Sequence, residues 1–163
     1  MKKTEMYICS MINSVKAADG FGGYVLVYEK DGKPLTLDEV WKLEKATKTT
    51  SELMLIAQAL SCYREPCEIT VHVNQTQTIK ALSEWIHAWE QNDWKNARGE
   101  AVSPWYKAIS TFSKGHLITY TADKGEFTAW LTDQTRKGKE KVRCLITLEN
   151  LTAPKSSTGQ QKA

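Results

Sequence analysis

The first fifty residues carry short apolar runs separated by turn residues, a pattern that predicts consecutive strands. Tyr7–Ile12 is one such run, and Phe21–Tyr28 is a second with a glycine pair near its start. The Asp31-Gly32 pair that follows favours a tight hairpin turn. Segment 34–45 fits a third antiparallel strand most simply, although its apolar positions also fit helical spacing.

A helical pattern follows and predicts a helix from Thr50 to about Tyr63. The apolar residues that recur at helical spacing are Leu53, Ile56, Ala57 and Leu60. Thr49, Thr50 or Ser51 is expected to cap this helix. Glu52 is the only acid of the stretch and is expected in the first turn, where it would either complement the helix dipole or be held for chemistry.

The second half of the chain alternates strands with helices, which is typical of an α/β fold. Strands are predicted at 68–73 and 116–121, and helices after Asn74, at 104–112 and at 126–136. The order is three strands, helix, strand, helices, strand, helix. It predicts a mixed five-stranded sheet, built from a three-stranded antiparallel meander plus crossover strands and flanked by helices.

Charge divides the chain unevenly. Residues 1–137 are predicted to form the folded domain, and residues 138–163 a basic C-terminal extension that is largely disordered. Within the extension, 142–148 is expected to be a short strand or a docking segment. Segment 137–163 has six basic and two acidic residues, which give it a net charge of +4. Because the net charge of the whole chain is +3, residues 1–136 have a net charge of −1. Charge alone therefore does not indicate a nucleic-acid-binding domain.

Composition fits an ordinary soluble globular protein. The 163 residues are 41% hydrophobic and 25% charged, and no apolar run approaches the length of a membrane span. The start of the chain lacks the features of a signal peptide, so a cytoplasmic location without a membrane partner is expected. The four cysteines form no C-x-x-C pair and the three histidines are dispersed, which favours reduced thiols and argues against a zinc site.

Several stretches stand in consistent order over about residues 6–136: Gly22–Tyr24, Thr49–Leu60, Cys67–Asn74, and Trp85–Trp89 followed by Trp94-Lys95. Together they resemble type 1 ribonuclease H. In that order they are similar to the glycine-rich second strand of the family, its first helix, its fourth strand, and the Trp-rich helix and basic handle of bacterial members.

The resemblance implies a specific chemistry. Family members act on a phosphodiester of an RNA/DNA hybrid with two Mg²⁺ ions, which four acids on the first strand, first helix, fourth strand and last helix hold. Glu52 stands at the position of the catalytic glutamate, and Asp133 is the candidate for the last-helix acid. A shifted alignment would place Trp130 or Leu131 there instead. Glu52 and Asp133 are therefore the candidate metal ligands.

Two of the four expected acids are missing. No Asp or Glu lies between Met6 and Ala18, and spacing from the glycine pair places Ile12 at the first-strand position. Asn74 replaces the fourth-strand acid, which keeps an oxygen ligand but loses a negative charge. Asn74 thus joins Glu52 and Asp133 as a candidate catalytic-site residue. The resemblance implies a ribonuclease H fold with a depleted carboxylate site.

These observations predict a ribonuclease H-like protein that binds an RNA/DNA hybrid or another nucleic acid and is catalytically impaired or inactive. The residues expected to contact nucleic acid are Thr49, Thr50, Ser51, Trp85, Trp89, Trp94 and Lys95. One alternative is an active Mg²⁺-dependent hybrid endonuclease whose modified site uses an acid such as Asp19 or Asp123. The other is a scaffold that binds a partner protein. Mg²⁺ is expected only if the chain is active.

Overall fold

Six strands and six helices make up the part of the chain that the computed structural model describes, residues 1–138 and 142–152. The strands are β1 (Lys2–Ser10), β2 (Ala18–Lys30), β3 (Lys33–Ala46), β4 (Cys67–His72), β5 (Leu117–Thr121) and β6 (Arg143–Leu145). The helices are α1 (Lys48–Leu60), α2 (Thr76–Lys80), α3 (Ile86–Gln91), α4 (Pro104–Ser113), α5 (Thr128–Lys137) and α6 (Leu148–Thr152). A π-helical turn, Ala81–Trp85, joins α2 to α3. We call residues 76–91 the handle helix.

The strands form one mixed sheet in the order β5-β4-β1-β2-β3-β6. β1, β2 and β3 pair antiparallel as a meander, whereas β4 runs parallel to β1 and β5 parallel to β4. The predicted five-stranded mixed sheet is confirmed, and segment 34–45 lies within β3. Segment 142–148 supplies β6, a sixth strand of three residues that pairs parallel to the free edge of β3.

The predicted hairpin turn joins β2 to β3. Lys30 pairs with Lys33, which leaves Asp31 and Gly32 as a two-residue loop. Both loop residues have positive φ, 55° and 77°, as the favoured hairpin turns require. Glycine is needed here because few other residues adopt this backbone conformation at low cost.

The glycine pair of β2 lets helices pack closely on both faces of the sheet. A Cβ on Gly22 would lie 2.7 Å from Cδ1 of Leu55 in α1, and a Cβ on Gly23 would lie 2.7 Å from Oγ1 of Thr135 in α5. Neither distance is compatible with an ordinary van der Waals contact. Adjacent residues of a strand point to opposite faces, so these two glycines set the approach of α1 and α5 respectively.

The main core lies between α1 and the sheet, and it includes part of the C-terminal extension. Every residue of α1 from Ser51 to Leu60 is buried. Ile146 and Leu151 are buried in the same cluster, and the backbone N–H of Ile146 donates to the carbonyl of Lys42 in β3. The predicted boundary at residue 137 is therefore wrong, because 142–152 packs as part of the domain. Residues 153–163, for which disorder was expected, lie outside the described residues.

No helix within residues 1–138 or 142–152 has the length and apolar character that crossing a membrane requires.

Candidate functional site

The cap of α1 places Glu52 one turn deeper than the sequence predicts. Thr47 is the N-cap residue, and its hydroxyl accepts a hydrogen bond of 3.1 Å from the backbone N–H of Thr50. The predicted caps Thr49, Thr50 and Ser51 instead lie inside the helix. The first turn consequently contains no acid, and the interpretation of Glu52 as a complement to the helix dipole is wrong.

Glu52 is a buried carboxylate that connects α1 to the start of the handle helix. Its side chain is 1% exposed, and Oε1 accepts a hydrogen bond of 3.0 Å from the hydroxyl of Thr78. The backbone N–H of Asn74 also donates to it. Burial raises the pKa of Glu52, and the Thr78 hydroxyl, the Lys48 charge and the Asn74 N–H oppose that rise. Two donors of one short segment thus hold the carboxylate.

Asn74 lies where the parallel strands end. It follows β4 after one residue, its side chain is exposed, and it lines a small cleft at the carboxyl ends of β1 and β4. We call this the central cleft. Its polar lining residues are His72, Asn74, Asp123, Lys124, Thr128 and Thr132. The backbone of Asn74 binds Glu52, whereas its amide side chain faces solvent.

The wall of the central cleft contains an aromatic stack that the sequence does not reveal. The rings of Tyr7 and His72 stack with centroids 4.1 Å apart. The two ring nitrogens of His72 lie 2.7 Å from Oε1 of Glu5 and 2.8 Å from the carbonyl oxygen of Asp123. These contacts attach the loop before α5 to the end of β4. Burial, and next the charge of Glu5, raise the pKa of Tyr7.

Asp133 does not line the central cleft. It is half-exposed on α5 and forms an ion pair of 2.9 Å with Lys137 one turn later. The residues that α5 contributes to the cleft are Thr128, Leu131 and Thr132. Of the two residues of the shifted alignment, Leu131 is buried at the cleft and Trp130 is exposed. At the cleft, α5 therefore presents hydroxyl and apolar groups.

The residue at the predicted first-strand position belongs to the core. Ile12 lies two residues beyond β1, is 4% exposed and packs in the cluster that contains α1. A Cβ on Gly20 would lie 2.7 Å from Cγ1 of Ile12. Ser10, the last residue of β1, shares a buried hydrogen bond of 2.5 Å with Ser51. Ser51 is therefore unavailable to a surface ligand, which contradicts its expected contact with nucleic acid.

The handle helix presents aromatic side chains at the surface. Trp85 is 38% exposed, and Nζ of Lys80 lies 5.7 Å from the centroid of its ring. The ring centroid of Trp89 lies 6.1 Å from that of Trp85 and 4.8 Å from that of Tyr106 in α4. We call Trp85, Trp89 and Tyr106 the aromatic cluster. Sequence reasoning missed Lys80 and Tyr106, since their contacts depend on how helical segments pack.

The other predicted contact residues lie in different environments. Trp94 is partly buried and packs against the main core, and its backbone N–H donates to the carbonyl of Trp89 at 2.7 Å. Lys95 is exposed. Thr49 and Thr50 are half-buried, and the Thr49 hydroxyl donates to Oε1 of Gln75 at 2.7 Å. Trp94 thus has a structural role in holding the handle.

Comparison with known proteins identifies the family. The family model described as RNase H matches residues 8–132. The chain belongs to the ribonuclease H family. It is 33% identical over 112 residues to the ribonuclease H of Nitrosospira multiformis, in an alignment that covers 68% of this chain and 71% of the relative. It is 29% identical over 114 residues to the ribonuclease H of Zymomonas mobilis, with coverage of 68% and 70%.

Solved structures agree with this fold. LC9-RNase H1, described as a type 1 RNase H with the type 2 active-site motif, has a TM-score of 0.70 at 13% identity. The alignment covers 88% of this chain and 74% of the LC9-RNase H1 chain. The solution structure of the PFV RNase H domain has a TM-score of 0.62 at 15% identity, with coverage of 88% and 98%. At such identities these similarities show the fold alone.

The residues of this ribonuclease H family member do not fit a pair of Mg²⁺ ions. Mg²⁺ requires hard oxygen ligands in octahedral geometry, and two ions need several carboxylates around them. Glu52 is buried with two donors, and Asp133 pairs with Lys137. Asp19 accepts a hydrogen bond from the backbone N–H of Lys45. Within residues 1–138 and 142–152, no three side chains of His, Cys, Asp or Glu are grouped as a metal site requires.

Proposed function

We propose that this chain is a nucleic-acid-binding member of the ribonuclease H family whose hydrolytic activity is lost or strongly impaired. The observation that carries the proposal is the environment of Glu52. Its carboxylate is buried and hydrogen-bonded to Thr78 and Asn74, so binding a metal ion would require these bonds to break. At the cleft, Asp123 is a single carboxylate beside the amide of Asn74 and the hydroxyl of Thr132, and one carboxylate does not bring the negative charge that a Mg²⁺ pair needs.

The aromatic cluster supports the binding part of the proposal. An exposed indole beside a lysine combines a stacking surface with a positive charge, which is how proteins hold unpaired bases and sugar-phosphate backbones. Structures of the foamy viral protease-reverse transcriptase, a region of which shares this fold, are described as complexes with dsDNA and with RNA/DNA hybrid. An RNA/DNA hybrid is therefore the first ligand to test.

The π-helical turn supports the same assignment. It ends at Trp85, so the wider turn lies directly beside the exposed indole and its lysine. Such turns occur frequently at functional sites because they change the direction in which side chains leave a helix. Trp85 is the last residue of this turn, and its aromatic neighbour Trp89 follows four residues later in α3.

A binding assay with variants matched in exposure tests the proposal. Fluorescence anisotropy of a labelled RNA/DNA hybrid should report binding by the wild type with and without Mg²⁺. Trp85→Ala should weaken this binding by about 5- to 150-fold, since stacking on an aromatic side chain contributes about 1–3 kcal/mol. Leu35→Ala is the control, because Leu35 has the same exposure, 38%, but lies on β3, away from the aromatic cluster and from α5. Equal weakening by both variants would contradict the assigned surface.

A cleavage assay decides between this proposal and its alternatives. We expect the same hybrid to remain intact when it is incubated with the protein in Mg²⁺ or Mn²⁺. Cleavage that Glu52→Gln abolishes would establish an active enzyme and overturn the assignment of impaired activity. Failure to bind hybrid, duplex DNA or duplex RNA at low salt would instead favour a protein-interaction scaffold.

A further inference from the structure

A groove runs along one side of α5 and continues from the central cleft. It has a volume of about 380 Å³. Its lining residues are Lys124, Gly125, Thr128, Ala129, Thr132, Asp133 and Arg136. Lys124, Thr128 and Thr132 line both the groove and the central cleft, so the two form one surface path. We call this groove the α5 groove.

Helical periodicity gives the α5 groove its length. Thr128, Thr132 and Arg136 follow one another at four-residue intervals and therefore lie along one side of the helix. With a rise of 1.5 Å per residue, Thr128 and Arg136 are separated by about 12 Å along the axis. Lys124 lies before the first turn and extends the path toward Asn74. The groove is thus long enough for more than one phosphate of a strand.

The charge balance of the α5 groove favours an anion. Among the ion pairs of the described residues, none includes Lys124 or Arg136. The carboxylate of Asp133, which also lines the groove, is neutralised by Lys137 at 2.9 Å. Asp123 at the cleft end carries an opposing charge, and its backbone carbonyl contacts His72. Two unpaired cations therefore remain at the two ends of the groove.

Thr128 adds a neutral donor between these cations. Its hydroxyl oxygen accepts a hydrogen bond of 2.9 Å from the backbone N–H of Gly125, while its carbonyl accepts one of 3.1 Å from Thr132. Among the described residues, the hydroxyl proton of Thr128 has no acceptor and can be donated to a ligand. A hydroxyl flanked by an ammonium and a guanidinium matches the oxygens of a phosphate.

We propose that the α5 groove binds the phosphodiester backbone of a nucleic-acid strand directly, without a divalent metal, through Lys124, Thr128 and Arg136. This inference rests on the proposed function and specifies where the strand lies. A cleft lined by carboxylates repels phosphate unless metal ions neutralise it, whereas the donors of this groove belong to the chain itself. Contact with phosphates by fixed cations releases counterions, so the binding must depend on salt.

Salt dependence without metal tests this inference. Binding of a labelled RNA/DNA hybrid is measured in EDTA over a series of salt concentrations for the wild type and for the double variant Lys124→Ala/Arg136→Ala. Loss of two phosphate contacts should reduce the slope of log affinity against log salt by about 2. The control is Lys30→Ala/Lys33→Ala, which removes two exposed lysines at the β2–β3 hairpin. The control should leave the slope unchanged.

The outcomes separate this inference from the proposed function. If the wild type binds the hybrid but both double variants keep its slope, the α5 groove is excluded while the binding function stands. Binding by the wild type only in Mg²⁺ would also overturn the inference. If the wild type binds no nucleic acid, the proposed function fails, and inorganic pyrophosphate in EDTA then tests the groove alone. Amide chemical shifts of residues 124–136 should move on pyrophosphate addition, and unchanged shifts would refute the site.

Discussion

Leu151→Ala tests whether the C-terminal segment belongs to the folded domain. Leu151 is 3% exposed and packs in the main core together with Ile146. Truncating a buried leucine removes its transfer free energy and leaves a cavity, which typically costs about 2–5 kcal/mol. Leu151 lies on a short helix held by the three-residue strand β6, so this segment can detach locally. Local detachment limits the loss in free energy of unfolding, and we expect Leu151→Ala to cost about 2–3 kcal/mol.

Thermal unfolding measures this loss. For a domain of this size, each kcal/mol lowers Tm by about 2–4 °C, so Leu151→Ala should lower it by roughly 4–12 °C. Leu117→Ala is the matched control, since it makes the same chemical change at a leucine that is 59% exposed on β5. The control should change Tm by less than about 2 °C. Equal Tm values for the two variants would refute the docking of α6 and restore a domain boundary near residue 137.

Four further substitutions test the site and the sheet. The stability of Glu52→Gln relative to the wild type should increase as pH rises. Burial raises the pKa of Glu52 above its ordinary value of 4.5, so this carboxyl group contributes its full stability to the wild type only below pH 4.5. The wild type loses that contribution as pH rises through the pKa of Glu52 in the folded state. Urea unfolding at several pH values measures the difference, and a difference that shrinks with rising pH would contradict this environment. Ile12→Asp should cost about 3–5 kcal/mol in urea unfolding because it buries an unpaired charge, whereas Asn74→Asp at an exposed position should cost less than about 1 kcal/mol. Equal costs would disprove the burial of Ile12. Gly22→Ala should lower the free energy of unfolding by about 1–3 kcal/mol, since the new Cβ would contact Leu55. A urea midpoint equal to that of the wild type would show that α1 can move away from the sheet to make room.

The retention of Glu52 has a structural explanation that does not involve a metal. The hydroxyl of Thr78 and the backbone N–H of Asn74 come from the segment that begins the handle helix. Their hydrogen bonds to a buried acceptor fix that segment against α1. Removing the acceptor leaves buried donors unsatisfied, which costs free energy. Glu52 can therefore be needed for the position of the aromatic cluster even where catalysis is absent.

Tertiary packing determined several features that local patterns do not encode. The direction in which the Asp133 side chain points depends on which side of α5 faces the sheet. Periodicity alone does not distinguish between positions of the helix that are one or two residues apart. The burial of Ser51 and Ile12 depends on how closely α1 approaches the end of β1. Thr78 meets Glu52 across 26 positions of sequence. Such contacts arise only when distant elements pack together.

The sequence by itself determined the order of strands and helices from β1 to α5, the Asp31-Gly32 hairpin, and the absence of an acid between Met6 and Ala18. These features follow from local periodicity, turn preferences and residue identity, which no packing arrangement changes. Only the tertiary structure decided that Glu52 is buried against the handle helix and that α5 presents hydroxyl groups to the cleft. The reason is that burial and side-chain direction depend on contacts between elements far apart in the chain.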